Sequence, residues 1–340
     1  MDRLRQGQAL SGEVADEIRV PAHALALQAC RRTVLKSALA LVAAPLLGRL
    51  PAAAGATIEV SEIAPGVFVH QGRYEVQSPE NRGDISNAGF VVGDEAVAVI
   101  DTLGSAKVGR ELRAAIKAVT DKPIRYVVNT HMHPDHVFGN AAFKEDAPQF
   151  VGHHKLRRGL DARAGTYMTS GKAMLGDDAF EGCEIILPTV EVKDRLTLDL
   201  GGRTLVCEAQ PTAHTDNDLI VTDSKTDTAF LGDLLFSQHI PTLDGSLRGW
   251  MTLIDQIEKR QVARVVPGHG PHAMHLPEAI LPEKRYWAVV AADVRALIKD
   301  GKDLTDATKT AGQSERGNWK LFDQYHVRNV TSAYAELEWE

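Results

Sequence analysis

The stretch NTHMHPDHVFGN, residues 129–140, sets His131, His133, Asp135 and His136 within six positions. Imidazole nitrogens and carboxylate oxygens are the donors zinc takes, and iron also accepts them. Side chains alternate sides along an extended segment, so His131 and His133 are expected on one face at the end of a strand, sharing one metal. Pro134 then bends the chain and lets Asp135 and His136 point elsewhere, at the start of a helix through VFGNAAF. One short segment can in this way serve two metals about 3.5–4 Å apart. A lone histidine says little, whereas the spacing H-x-H-x-D-H is hard to explain as a polar loop. Three more donors lie downstream: His214 after LVCEAQPTA, Asp233 after TAFLG, and His269 in VVPGHG. Each is a polar residue that a buried run delivers to what can be one edge of a sheet. Together they make seven ligands, enough for two metals with Asp233 between them.

The surrounding elements must bring these residues together. Short strand-like runs, TIEVSEI, GVFVHQG, NAGFVVG and AVAVIDT, follow one another from residue 57. A helix over 106–121 shows Val108, Leu112, Ile116 and Val119 at helical spacing and stops at Lys122-Pro123, and the buried strand IRYVVNT runs into the histidine cluster. The alternation returns with a hairpin around Gly201-Gly202, strands DLIVTD and TAFLGD, a helix over 250–261 and the strand ARVVPGHG. Two halves of this kind predict two sheets packed face to face with helices outside. From Pro277 the pattern is helical, with Pro282 dividing the first run, and residues 276–340 read as a helical layer on the same domain. His153 and His154 are expected on a helix and bind no metal, while His272 and His275 are surface residues.

The chain has 340 residues and a formal charge of −7. With no Lys/Arg run in its body, it offers no phosphate track, which argues against a nucleic-acid partner. Near the N-terminus, Arg31 and Arg32 precede an apolar run and the small residues AAAGA. This resembles a twin-arginine export signal cleaved after Ala54 or Ala56, and the apolar stretch is shorter than the roughly 20 residues a membrane span needs. Residues 1–56 are therefore expected to be removed, leaving an acidic periplasmic protein with no integral membrane span. Cys30 leaves with the signal; Cys183 and Cys207 either pair in an oxidising compartment or remain two buried thiols.

The order H-x-H-x-D-H, then His214, GDLLF and GHG resembles the metallo-β-lactamase superfamily over residues 57–275. The resemblance implies an α+β fold, a four-layer αβ/βα sandwich, here with a C-terminal helical extension. It implies one zinc ion on His131, His133 and His214, a second on Asp135, His136 and His269, and Asp233 bridging them. The stretches SPENRGDISNAGFVVG, ILPTVEV, PTAHTDNDLIV, HIPTLDGSLRGW and LFDQYHVRNV are similar to SoxH-related zinc metallohydrolases associated with periplasmic quinoprotein systems. That implies quinoprotein or sulfur-oxidation components as partners.

Two divalent metals lower the pKa of a shared water from 15.7 to about 7, so the expected chemistry is hydrolysis by a metal-bridging hydroxide, with Asp135 both ligand and proton carrier. Asp233 in GDLLF resembles thioesterases of the glyoxalase II kind rather than the β-lactamases, which points to a small-molecule thioester, sulfur ester or lactone. The basic residues and tyrosine by which glyoxalase II enzymes hold glutathione have no obvious counterpart in the sequence. His239, Asp244, Arg248 and Trp250, just after the bridging aspartate, are the candidate substrate contacts, and the Gly-rich stretch 162–182 is a candidate lid. Two alternatives stay open: a mononuclear iron enzyme resembling persulfide dioxygenases on His131, His214 and Asp233, and a non-catalytic accessory factor.

Overall fold

The computed structural model describes residues 58–340. The export signal expected over 1–56 lies outside the described residues. One sheet takes seven strands in chain order: β1 (Ser61–Ala64), β2 (Val67–His70), β3 (Ala88–Val92), β4 (Val97–Ile100), β5 (Ile124–Val128), β6 (Gln149–His153) and β7 (Val190–Val192). Its first four strands form an antiparallel meander, and β4 through β7 pair in parallel. The second sheet has the order β12-β11-β10-β9-β8, built from β8 (Arg195–Asp199), β9 (Thr204–Ala209), β10 (Leu219–Asp223), β11 (Thr228–Phe236) and β12 (Arg264–His269).

Residue alternation sorts the strands into layers. In β3 and β4, Val91, Ala98 and Ile100 face the second sheet, where they meet Leu205, Val221 and Phe230. Their neighbours Phe90, Val97 and Val99 face the other way, onto Val108, Leu112 and Ile116 of α1 (Ala106–Val119). Both faces of these strands are covered, which is why they read as unbroken apolar runs. The Ser105 hydroxyl accepts from the Val108 N–H and caps α1. Each fully buried Leu or Ile contributes about 1.5–3 kcal/mol of transfer free energy. The outer face of the second sheet is covered by α4 (Leu247–Ile257), α5 (Leu281–Lys299), α6 (Leu304–Thr310) and α7 (Phe322–Leu337), whose apolar residues share one cluster with β11 and β12. The architecture is an α+β sandwich of helices, sheet, sheet and helices.

Several expectations need correction. Strand β5 ends at Val128, so His131 stands in a bend and His133, with extended backbone, directly precedes the helix at Pro134, neither lying on the strand. The helix after Pro134 is one α-turn, α2 (Pro134–Val137), continued as a 3-10 helix over 138–146. Pro282 opens α5 instead of dividing a helix. His153 closes β6 and His154 sits in the following turn, so neither is helical. The stretch 162–182 is not a loop: it lies mostly in α3 (Leu156–Phe180), kinked at Gly176 where φ is +73°. Cys183 and Cys207 are both free and buried, in different clusters. Among the described residues, no helix is long and apolar enough to cross a membrane.

Candidate metal centre

All seven sequence-predicted donors converge at one end of the sandwich. Two sets form there, His131, His133, His214 and Asp233, and Asp135, His136 and His269; within each, the donor atoms lie within 4.8 Å of one another. Asp233 lies between the sets: its Oδ2 is 3.4 Å from both His214 Nε2 and His269 Nε2 and 3.6 Å from His131 Nε2, and its Oδ1 is 3.1 Å from His136 Nε2. Asp135 Oδ2 lies 3.3 Å from His269 Nε2. His131, His133, Asp135 and His136 follow β5, His214 lies between β9 and β10, Asp233 is inside β11, and His269 ends β12.

Backbone shape makes this convergence attainable. The β11–β12 ladder shifts register around Gly232, whose φ of +52° favours glycine and where a Cβ would stand 2.6 Å from Thr130 Oγ1. At Gly268 a Cβ would run into Asp233 Oδ1. Gly268 thus gives Asp233 its space, and Gly232 lets β11 pass Thr130.

Each histidine is oriented by its outer nitrogen. His214 Nδ1 donates to the Thr242 carbonyl (2.7 Å), His269 Nδ1 to the Ile85 carbonyl (2.9 Å), His136 Nδ1 to Asp101 Oδ2 (2.9 Å), and His133 Nε2 to Asp244 Oδ2 (3.0 Å). The Thr130 hydroxyl donates to Asp101 Oδ2 (2.7 Å), so its oxygen accepts from His131 Nδ1 (3.0 Å). In the neutral imidazoles these partners hold the hydrogen on the outer nitrogen and leave the inner nitrogen a lone pair, as metal-ligating histidines do. Sequence reasoning missed Asp101, although it too is a polar residue just past a buried strand, β4. It holds φ of +58°, a conformation costly for a non-glycine residue, and its carboxylate also accepts from the Thr130 N–H at 2.8 Å.

The inner atoms fit a cation. His214 Nε2 and His133 Nδ1 are 2.9 Å apart, yet with both outer nitrogens protonated neither has a hydrogen to share. His131 Nε2, His136 Nε2 and Asp233 Oδ1 are buried with no hydrogen-bond partner, a costly state unless another group satisfies them. Burial, then the neighbouring His136, holds His131 well below its ordinary pKa, and burial pushes His214 down to about 3. Burial opposes charge on His136 and His269 as well, but Asp233 and Asp135 outweigh it, raising His136 well above its usual value and His269 to about 9. Burial likewise opposes ionisation of Asp233, and His269 and His136 outweigh it. The carboxylates stay ionised and draw positive charge into the cluster, which a metal ion can supply.

The donors open onto a cleft of about 280 Å³. Of the four candidate substrate contacts, His239 and Asp244 line it. The other two are corrected. Arg248 lies on α4 with its guanidinium 3.5 Å from Glu340, and Trp250 is fully buried behind His214, the ring centroids 5.3 Å apart. The 162–182 stretch contributes a helical wall through Arg163, Tyr167 and Met174, and α7 contributes Tyr325 and Arg328. The stretch LFDQYHVRNV contains Tyr325 and Arg328, but lying far along the chain from the histidines it gave no sign of reaching the cleft. His153 and His154 stack on each other away from the cleft, and His272 and His275 are exposed.

With the geometry in hand, the chain can be compared with known proteins. It is similar to a linear primary-alkylsulfatase of a Pseudomonas species, 41% identical over 54 residues that make up 16% of this chain and 10% of that protein. It is also similar to putative diflavin flavoprotein A 4 of a Synechocystis species, 24% identical over 258 residues, 68% of this chain and 41% of that protein. The chain thus spans a tenth and about two-fifths of the lengths of these two relatives. The solved metallo-beta-lactamase from Pontibacter korlensis shares the fold, with a TM-score of 0.54 at 20% identity, covering 68% of this chain and 99% of that one. Residues 81–269, a segment running from the loop before β3 through the last histidine of the cluster, match the metallo-beta-lactamase superfamily, and the chain belongs to that superfamily.

Proposed function

We propose that this chain is a periplasmic dinuclear zinc hydrolase acting on a small-molecule thioester, sulfur ester or lactone. The observation that carries the proposal is the pair of donor sets meeting on Asp233, with His214 and His269 equally distant from one carboxylate oxygen. Two divalent metals on such sets supply a nucleophile from water at neutral pH and a positive field for the developing oxyanion. The chain's own residues do the rest. Asp135 lines the cleft with its side chain 15% exposed, against 3% for Asp233. It is the carboxylate that faces substrate, placed to take a proton from the attacking water and return it to the leaving group. His133, held by Asp244, and His214, held by Thr242, keep their lone pairs aimed inward while this happens.

The sulfatase named among the relatives supports keeping sulfate esters in the substrate class. The Arg31-Arg32 pattern supports export, and replacing both by Lys should retain the protein in the cytoplasm. Quinoprotein or sulfur-oxidation components are the partners this reading proposes. A mononuclear iron enzyme on His131, His214 and Asp233 would leave His133, Asp135, His136 and His269 without a metal to bind. The test is a turnover screen of thioesters, sulfate esters, lactones and β-lactams on one metal-analysed sample. Hydrolysis in one of the first three classes, lost in an Asp135→Ala chain that still folds, is expected, with metal content read on the same sample. Turnover that survives the substitution contradicts the role of Asp135, and no turnover of any ester leaves the accessory reading in its place.

A further inference from the structure

Two guanidinium groups enter the mouth of the cleft from separate elements, Arg163 from α3 and Arg328 from α7. Arg163 Nη1 donates to Asp244 Oδ2 at 2.7 Å and Arg328 Nη2 donates to Asp244 Oδ1 at 3.3 Å. One carboxylate therefore faces two permanently charged groups, so one guanidinium charge is left over at this part of the cleft, while Asp135 and Asp233 lie with the histidine cluster in the same lining. A guanidinium has five N–H donors, and these contacts use one from each. The arginine side chains are 39% and 56% exposed against 14% for Asp244, so the cations stand toward solvent. Beside Arg163, the Tyr167 hydroxyl is buried with no partner in hydrogen-bonding geometry. Val76 and Met174, both exposed large apolar side chains, belong to the same lining.

A purely structural explanation would have the arginines pin the loop that carries Asp244. That loop is already fastened from below: Asn329 on α7 accepts from the Leu243 N–H at 3.0 Å and donates to the Pro241 carbonyl at 2.6 Å. Exposed ion pairs add only about 0–1 kcal/mol. Oxyanion recognition, by contrast, uses the forked donors that are left over.

We infer that the cleft selects an amphipathic substrate whose oxyanion, a carboxylate or sulfur oxyanion, is gripped by Arg163 and Arg328 with the Tyr167 hydroxyl as a further donor, while its apolar part lies along Val76 and Met174. The anion then sits one carboxylate, Asp244, away from His133 of the cluster. The inference rests on the cluster being the reacting centre, so its test reads binding rather than turnover.

Calorimetric titration of the purified metal-loaded chain with hexanoate, hexanesulfonate and hexanamide compares two anions with a neutral molecule of similar shape. At least one anion should bind about tenfold or more tightly than the amide, the strength expected of charge-assisted hydrogen bonds. In the Arg163→Met/Arg328→Met double variant that preference should vanish, and in the double Lys variant part of it should return. Arg328→Met alone, a change at an exposed side chain, should reduce the preference and guards against misfolding of the double variant. Equal or undetectable binding of all three overturns the inference, as does an anion preference that persists in the double variant, since the oxyanion would then sit on the metals. Anion preference without turnover of any ester contradicts the hydrolase proposal and leaves the subsite standing; turnover without anion preference does the reverse.

Discussion

Two buried charged assemblies stand at opposite ends of β9 and β10, and they are built on different principles. At one end, Arg203 donates from Nε and Nη2 to the two oxygens of Asp223, each at 2.7 Å, and from Nη1 to the carbonyls of Pro65 and Val92. Asp223 also accepts from the Thr226 N–H, and no buried polar atom of the pair lacks a partner. At the other end, the histidine and aspartate cluster leaves His131 Nε2, His136 Nε2 and Asp233 Oδ1 unpartnered. Burial of charge is common to both. The difference lies in closure: the first assembly is a clasp that completes its own hydrogen bonding, and the second leaves inner donor atoms facing one another in an arrangement that a metal ion would fit.

The comparison can be broken from either side. The largest effect is expected from Asp233→Asn, which removes the carboxylate lying between the two donor sets: turnover should fall by at least about 10²–10³-fold, with loss of bound metal and little change in fold. Retained turnover and metal, measured on the same sample, would show that the two sets do not depend on Asp233. Next, Arg203→Met should leave Asp223 as an unpaired buried charge and destabilise the chain by about 3–5 kcal/mol in denaturant unfolding, without lowering the metal affinity of the molecules that remain folded. Because Arg203 holds the Asp223 carboxyl below its ordinary pKa against the opposing effect of burial, the clasp's contribution is present above that ordinary value and lost as pH falls through the depressed one. Asp101→Asn, which removes the carboxylate that orients His136, should weaken metal binding by about 10–100-fold with the seven donors intact. Unchanged affinity in a metal competition assay would mean that His136 needs no such support.

The smallest effect concerns Glu283 on α5, whose Oε1 is also buried without a partner although its Oε2 accepts from the Phe236 N–H at 2.7 Å. Burial raises its pKa well above the ordinary 4.5, so the folded chain keeps a proton that the unfolded chain releases. Stability therefore falls as pH rises from that ordinary value toward the raised one, by at most about 1.4 kcal/mol per unit. Glu283→Gln should flatten this slope, with thermal melts of wild type and variant diverging as pH rises through 5–8. Parallel melts across that range would show that Glu283 does not carry its proton. An isolated open atom on an acid can be closed by a proton, and that separates Glu283 from a cluster in which lone pairs face one another.

The ligand set was legible because each donor obeys a local rule: four fall in one short run, and His214, Asp233 and His269 each close or interrupt an apolar strand. The layers were legible from strands written as unbroken apolar runs. Helix α3 was not, because its buried stripe through Leu156, Leu160, Tyr167, Gly171 and Leu175 places a glycine where an apolar side chain would announce the period. That glycine is there for space, since a Cβ at 171 would stand 2.8 Å from the rings of Phe138 and Phe180. Trp250 resembled a substrate contact because it follows the aspartate closely; it packs instead between His214 and Trp287. Arg328 lies in the quoted stretch LFDQYHVRNV, but its place in the cleft left no signal, because it depends on how α7 docks against α5 and the loop before α4.

The central claim is that the open cluster is a two-metal centre. Elemental analysis of the purified wild-type chain, after removal of loosely bound ions, tests it most directly. About two zinc ions per chain, falling in Asp233→Asn, is the predicted result; a chain that retains no metal, or a single iron, would contradict it.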